Sequence, residues 1–289
     1  MIDKNTAFNE IRHIKINNKL IDFSTPLIMA ILNITPDSFY DGGTYLGNHS
    51  LMAKTESMIK LGADIIDIGA VSTRPGALEV TVDEELRRII NPIKLLTSRF
   101  PDTIFSVDTY RSKVAKETIA AGAHIINDIS GGTMDSQMFT TIAKLNVAYI
   151  LMHIHGTPDN MQKSPINKDI VDTVKKFFQT KTDELINLGV NDIILDPGFG
   201  FGKSLECNYE LLRNIDKIRV NNLPVLVGIS RKSMINKVLS TLPNEALNGT
   251  TALNTILLLS GSNILRVHDV KEAKETVRLV KFIRNLPNC

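Results

Sequence analysis

Tryptophan is missing from the 289 residues, and Phe and Tyr bring the aromatic share to only 6%. That leaves little material for a sugar-stacking groove or an aromatic platform for single-stranded nucleic acid, and it makes the core aliphatic. Cysteine is scarce too: Cys207 and Cys289 are too few for a disulfide scaffold, and no Cys-x-x-Cys pair is there to hold a metal, which fits a reducing compartment. No uninterrupted apolar run reaches the roughly 18 residues of a membrane span. The opening stretch MIDKNTAFNEIRHIKINNK is too polar for a signal peptide, so a cytoplasmic protein with no membrane partner is expected. Charge of one sign is also lacking: 33 basic residues stand against 31 acidic ones, which argues against a nucleic-acid partner. With 43% apolar and 22% charged residues, disorder is excluded.

What is present is a regular alternation. Short β-branched runs at 27–32, 64–68, 103–107, 124–126, 147–152, 192–195, 224–228 and 263–267 are separated by segments with helical spacing of apolar residues, such as 50–61, 83–98, 111–121, 169–188, 231–239 and 270–285. Strands alternating with helices imply a parallel sheet, and eight such units match the size of an α/β protein of the (β/α)8 TIM-barrel class. An open doubly wound sheet is the second choice. No linker or composition shift divides the chain, so residues 1–289 read as a single domain with an N-terminal extension over 1–26, which includes a polar hairpin-like segment at 9–24. Two connections are long, 34–49 and 69–82, and loops of that length in compact domains are usually lids or binding segments.

In a barrel the active face is built at the C-terminal ends of the strands. There the sequence delivers Asn33, Asp67, Asp108, Asn127, His153 and Asp196, then Ser230, Arg231 and Lys232, and finally Arg266 and His268. Singly, each has a plainer reading: Asp196 before Pro197 as a turn residue, Asp108 as a cap for the helix at 111, Asn127-Asp128 as a turn pair, and Arg266 as an ion pair with Asp269 or Glu272. Together, so many polar groups at one mouth would stay unpaired without a ligand. Asp108, Asn127 and Asp196 suit a flat heterocycle with amidine-like N–H groups, such as a 2-amino-4-oxo-pteridine or guanine edge, and Lys232 can reach its other side. Asn33, Thr73, Arg74, Arg266 and His268 are what an anion such as diphosphate requires. A heterocycle pocket beside a diphosphate pocket suggests displacement of diphosphate.

Two motifs are discounted. The stretch Gly198-Phe199-Gly200-Phe201-Gly202-Lys203-Ser204 has Pro197 where a Walker A loop needs Gly, and its third glycine comes one position early for a dinucleotide loop. It reads as a compact strand-to-helix turn. His153-Ile154-His155 resembles a zinc-chelating pair, but the further histidines such a site needs are not placed to join it.

The ordered motifs resemble the dihydropteroate synthase family over nearly the whole chain: ILNITPDSFYDGG (31–43), ADIIDIGAVSTRPGA (63–77), SVDTYR (106–111), IINDISGG (125–132), LMHIHGTPDNMQ (151–162), ILDPGFGFGKS (194–204), VGISRKS (227–233) and ILRVHDV (264–270). The resemblance implies a transferase of folate biosynthesis that joins (7,8-dihydropterin-6-yl)methyl diphosphate to 4-aminobenzoate with Mg2+, releasing diphosphate. It implies that Asp108, Asn127, Asp196 and Lys232 hold the pterin, with Asp67 a charge facing it. Asn33 would take Mg2+ and share the diphosphate with Thr73, Arg74, Arg266 and His268. Phe39, Thr73, Pro75 and Ser230, with Arg74, would surround the 4-aminobenzoate. Asp67, Asp108, Lys232, Arg266 and His268 would carry the chemistry, in a sulfonamide-sensitive homodimer joined through its last helices. Val71 departs from the Glu or Gln common before Ser-Thr-Arg in the family. Rival classes are a pterin-binding methyltransferase barrel, disfavoured by the Ser-Arg-Lys, Arg-Val-His-Asp and Ser-Thr-Arg-Pro-Gly segments, a non-catalytic pterin carrier, and a zinc hydrolase.

Overall fold

The computed structural model describes residues 11–17, 19–34, 45–71 and 80–286. An antiparallel hairpin, β1 (Ile14–Ile16) and β2 (Lys19–Ile21), precedes eight parallel strands. These are β3 (Leu27–Asn33), β4 (Ile65–Gly69), β5 (Ile104–Asp108), β6 (Ile125–Asp128), β7 (Ala148–Met152), β8 (Ile193–Asp196), β9 (Leu226–Val227) and β10 (Ile264–Val267). Their order is β8-β7-β6-β5-β4-β3-β10-β9, and the two ends meet where the Leu195 N–H donates to the Pro224 carbonyl at 2.9 Å and Leu195 bridges Val225. The sheet therefore closes into a barrel, not the open doubly wound alternative. Around it lie α1 (Tyr45–Leu61), α2 (Val82–Arg99), α3 (Ser112–Ala120), α4 (Met138–Leu145), α5 (Ile170–Asn187), α6 (Leu205–Arg213), α7 (Ser233–Leu239), α8 (Leu247–Leu259) and α9 (Val270–Arg284).

Side chains of a strand alternate between its two faces, and here both faces are buried, so the runs read as almost continuously apolar. Ile66, Ile68, Val107, Ile126, Leu151 and Leu195 face the helices. Met29, Ile65, Ile125, Ile150, Ile194, Leu226 and Ile264 fill the barrel and pack on Ile14, Ile16 and Phe23. The N-terminal segment is thus a hairpin, as its sequence indicates, but calling it polar misses its function. Ile14 and Ile16 are buried and plug the lower mouth. The Arg12 N–H donates to the Asn222 carbonyl (2.8 Å) and the Lys15 N–H to Asp192 Oδ1 (2.7 Å), which anchor the plug across the chain.

Strand positions agree with the sequence reading to within two residues, and the shifts matter. β4 and β5 end one residue later than expected, so Asp67 lies in the middle of its strand beneath Gly69, while Asp108 ends its own. The six helical stretches read from the sequence are all helices. Helices α4, α6 and α8 were not among them: α4 and α6 are only 8 and 9 residues long, and α8 is apolar around most of its girth, which blurs helical period.

Candidate active site

Alternation dictates which polar residues share the pocket. If Ile65, Ile104, Ile125, Ile194 and Ile264 point inward, so do Asp67, Asp108, Asn127, Asp196 and Arg266, two or four residues further up each strand. The register sets Asp67 beside Ser106 and Asp108 beside Asn127. Side-chain bonds confirm the meeting. Arg266 donates from Nε to Asp67 Oδ2 (2.7 Å) and from a terminal nitrogen to Asp108 Oδ2 (2.9 Å), and Asn127 donates to Asp67 Oδ2 (3.0 Å). Asp67 is fully buried, and its Oδ1, with Asn127 Oδ1 and Ser106 Oγ, has no hydrogen-bond partner among the described residues. Buried acceptors left this way are costly unless a ligand or water supplies a donor.

The plainer readings fail at most of these positions. Arg266 does not pair with Asp269 or Glu272; Asp269 is taken by Arg231, Nε at 3.0 Å and a terminal nitrogen at 2.6 Å. Asp108 caps no helix, since Asp135 Oδ2 accepts the Ser112 N–H at the start of α3. Within Asn127-Asp128 only Asp128 serves the turn, accepting from the Ser130 and Gly132 N–H groups and the Tyr149 hydroxyl (2.6 Å). At Asp196 the turn reading holds in part: Oδ1 accepts the Gly198 N–H at 2.8 Å.

Across the pocket, Lys232 donates to the Phe199 carbonyl at 2.6 Å and stands 4.8 Å over the Phe201 ring. Burial pushes the Asp108 carboxyl up to about 7 despite Arg266 beside it, and raises Asp196 against the pull of Lys232. Burial also lowers the Lys232 ammonium to about 8, while Asp67 and Asp108 outweigh burial to hold Arg266 above its ordinary value. At the rim, Ser230 Oγ and His268 Nδ1 are 3.0 Å apart, and the His268 N–H donates to the same Oγ. Arg231 between Ser230 and Lys232 is left-handed (φ 57°), a strained backbone that its bidentate bond to Asp269 holds in place. Asn33 ends β3 opposite Gly69. Phe39, Thr73, Arg74 and Pro75 lie outside the described residues.

Sequence reasoning missed three participants. The Gly198–Gly202 stretch reads in sequence as a mere strand-to-helix turn, yet its Phe199 carbonyl and Phe201 ring receive Lys232, and Lys203 beneath it is buried. The lysine after three alternating glycines was the available signal. His153, by contrast, packs its ring edge-on against Phe177 of α5 at 5.0 Å, on the helix side of β7, and no cluster of three or more His, Cys, Asp or Glu that could hold a metal occurs among the described residues.

The sequence pattern of the pterin binding enzyme family matches residues 29–268. The dihydropteroate synthase of Escherichia coli (strain K12) is 43% identical over 263 residues, covering 90% of this chain and 93% of that protein. The crystal structure of the Yersinia pestis dihydropteroate synthase with a sulfonamide drug complex superposes with a TM-score of 0.88 at 40% identity, covering 95% of this chain and 100% of that one. The Xanthomonas albilineans enzyme in complex with 7,8-dihydropteroate gives 0.84 at 31% identity, with 96% and 100% covered. The chain belongs to the dihydropteroate synthases among the pterin binding enzymes.

Proposed function

We infer that the protein joins (7,8-dihydropterin-6-yl)methyl diphosphate to 4-aminobenzoate, giving 7,8-dihydropteroate and diphosphate. The observation that carries the reading is the convergence of Asp108, Asn127 and Asp196 from three strand ends, with Lys232 from the start of α7, on one polar pocket in which Asn127 and Asp196 are buried and Asp108 and Lys232 half-buried, in a chain with this kinship. Asn127 Oδ1 and the carboxylates of Asp108 and Asp196 accept from the N–H edge of the pterin, and Lys232 donates to its carbonyl and ring nitrogen. Of the expected roles one is refined. Asp67 is bound by Arg266 and Asn127, so it orients them from below more than it faces the pterin.

The C–O bond to diphosphate breaks with its electron pair on the leaving oxygen, and the pterin ring donates electrons into the exocyclic CH2. Positive charge then builds beside Asp108 and Asp196, whose preorganised carboxylates lower the barrier. Arg266 spends two N–H groups on Asp67 and Asp108, and its remaining ones, with His268, meet the departing diphosphate. The amine nitrogen of 4-aminobenzoate attacks the cation and loses a proton to solvent. Thr73, Pro75 and Phe39 with Ser230 hold the arylamine. Asn33, at the end of β3, would offer one neutral amide oxygen to Mg2+, a hard oxygen ligand of the kind that ion takes. When bound, Mg2+ neutralises charge on the diphosphate.

A homodimer is supported by Ile256 and Leu259 on α8 and Leu279, Phe282 and Ile283 on α9, which expose apolar side chains on two helices packed together. A cytoplasmic location accords with the scarcity of cysteine, and no helix among the described residues is long and apolar enough to cross a membrane. Sulfonamide sensitivity is expected from kinship with the Yersinia enzyme.

The test is diphosphate release on mixing protein, Mg2+, dihydropterin diphosphate and 4-aminobenzoate. Release that depends on the arylamine and disappears in Asp196→Asn and Lys232→Ala supports the reading. Tight pterin binding with no release would make the protein a carrier.

A further inference from the structure

The turn over residues 198–202 makes three contacts with the pterin-facing pair. The Gly198 N–H holds Asp196 Oδ1, the Phe199 carbonyl takes Lys232 Nζ, and the Phe201 ring lies under that ammonium. Gly198, Gly200 and Gly202 are left-handed (φ 64°, 82° and 66°), and a Cβ on Gly198 or Gly202 would collide with the carbonyl oxygen of His153 or His155. At Gly198 and Gly202 the turn is therefore pressed against the backbone leaving β7, with room there for nothing but glycine.

We propose that Lys203 is a positioning residue for pterin binding: it clamps this turn from beneath and so sets where Asp196 and Lys232 stand. The proposal rests on the functional reading above. Its Nζ donates to the carbonyls of Gly198 (2.8 Å), Phe201 (3.0 Å) and His153 (3.1 Å), so all three ammonium hydrogens are used and two separate segments are tied together. Its own carbonyl accepts from Asn208, whose Oδ1 in turn accepts the Gly200 N–H (2.7 Å). The clamp is thus closed through α6 as well.

The choice of lysine is informative. A side chain 4% exposed, meeting carbonyl dipoles, is an expensive way to fill space that a methionine would fill without burying a charge. Burial lowers this ammonium to about 7, with Asp196 acting in the opposite direction and Lys232 in the same one. The coupling runs both ways: a cation beneath the turn favours the ionised Asp196 that the pterin needs.

The experiment compares wild type, Lys203→Met and Lys203→Arg. Two quantities are measured: the dissociation constant of a non-reactive 6-substituted 2-amino-4-oxo-pterin by calorimetry, and the KM for 4-aminobenzoate at saturating pterin substrate. Lys203→Met is expected to weaken pterin binding about tenfold, with the arylamine KM within about twofold of wild type. Lys203→Arg keeps the charge but cannot aim three donors from one point, so it should fall between, at about threefold. If the methionine variant does not fold, the arginine variant carries the same test. An unchanged pterin dissociation constant among folded molecules, or equal losses for pterin and arylamine, overturns the proposal and leaves Lys203 a structural clamp only. Failure of wild type to release diphosphate would instead bring down the functional reading, while the pterin constants still judge Lys203.

Discussion

The two mouths of the barrel are built from the same strands and differ in almost every physical respect. At the lower mouth Ile65, Ile125, Ile194 and Ile264 meet Ile14 and Ile16 in an apolar seal. Two to four residues higher the same strands present Asp67, Asp108, Asn127, Asp196 and Arg266, with two acceptors unpartnered and a left-handed arginine at the rim. One end spends its residues on cohesion and the other on readiness for a ligand. The difference teaches that stability and activity are separable here along a single axis: substitutions at the upper end should cost activity without costing stability, and those at the lower end stability without costing activity.

The largest effect is expected at the upper mouth. Asp196→Asn should lower turnover by about 10²–10³-fold, because an amide cannot offer charge to the developing cation. It should also raise the melting temperature at neutral pH, since burial penalises the ionised carboxyl that the amide replaces. A fall in both would break the comparison. At the lower mouth Ile16→Ala should cost about 2–4 kcal/mol of stability and leave kcat of the folded enzyme unchanged, read by denaturant melts beside steady-state kinetics.

Acidity separates the ends further. Asp108 is raised from its ordinary 3.8 to about 7, so between those values the folded state binds more protons than the unfolded one. Stability therefore declines as pH rises through that window, while activity climbs as Asp108 ionises. Above about 8, where Lys232 loses its proton, activity should fall again. A pH-rate profile peaking between 7 and 8, with stability already declining below it, is the expected record; the Asp108→Asn variant should flatten the stability slope. The smallest effect belongs to the outer face of β6. Tyr149→Phe removes one of three bonds to buried Asp128 and should cost about 1 kcal/mol with no change in pterin affinity.

Most of this division is legible in the sequence because two periods coincide. The β-branched runs mark the strands, and counting by two from their isoleucines leads directly to Asp67, Asp108, Asn127, Asp196 and Arg266. What is not legible depends on contacts between distant segments. Nothing local to Ile14 or Ile16 says that they seat on strands far along the chain, because an I-K-I triplet also reads as an exposed hairpin edge. Arg266 gives no sign that its partners lie on β4 and β5 instead of the adjacent helix, since neighbours in a closed barrel can be 199 residues apart. Lys203 was hidden by its likeness to a phosphate-binding loop, a matter of composition that only the three carbonyls around its ammonium resolve.

The hairpin that plugs the lower mouth also bears on how the chain folds. Ile14 and Ile16 are synthesised early, but Leu226 and Ile264, which complete the same apolar cluster, come last. The cluster that the plug seals therefore stays incomplete until β9 and β10 have joined the sheet. Such long-range closure slows folding and exposes sticky surface meanwhile. In pulsed hydrogen exchange during refolding, the Lys15 N–H bonded to Asp192 should gain protection in the slowest phase, together with the N–H groups of β10, and early protection there would show that the hairpin docks before the barrel closes.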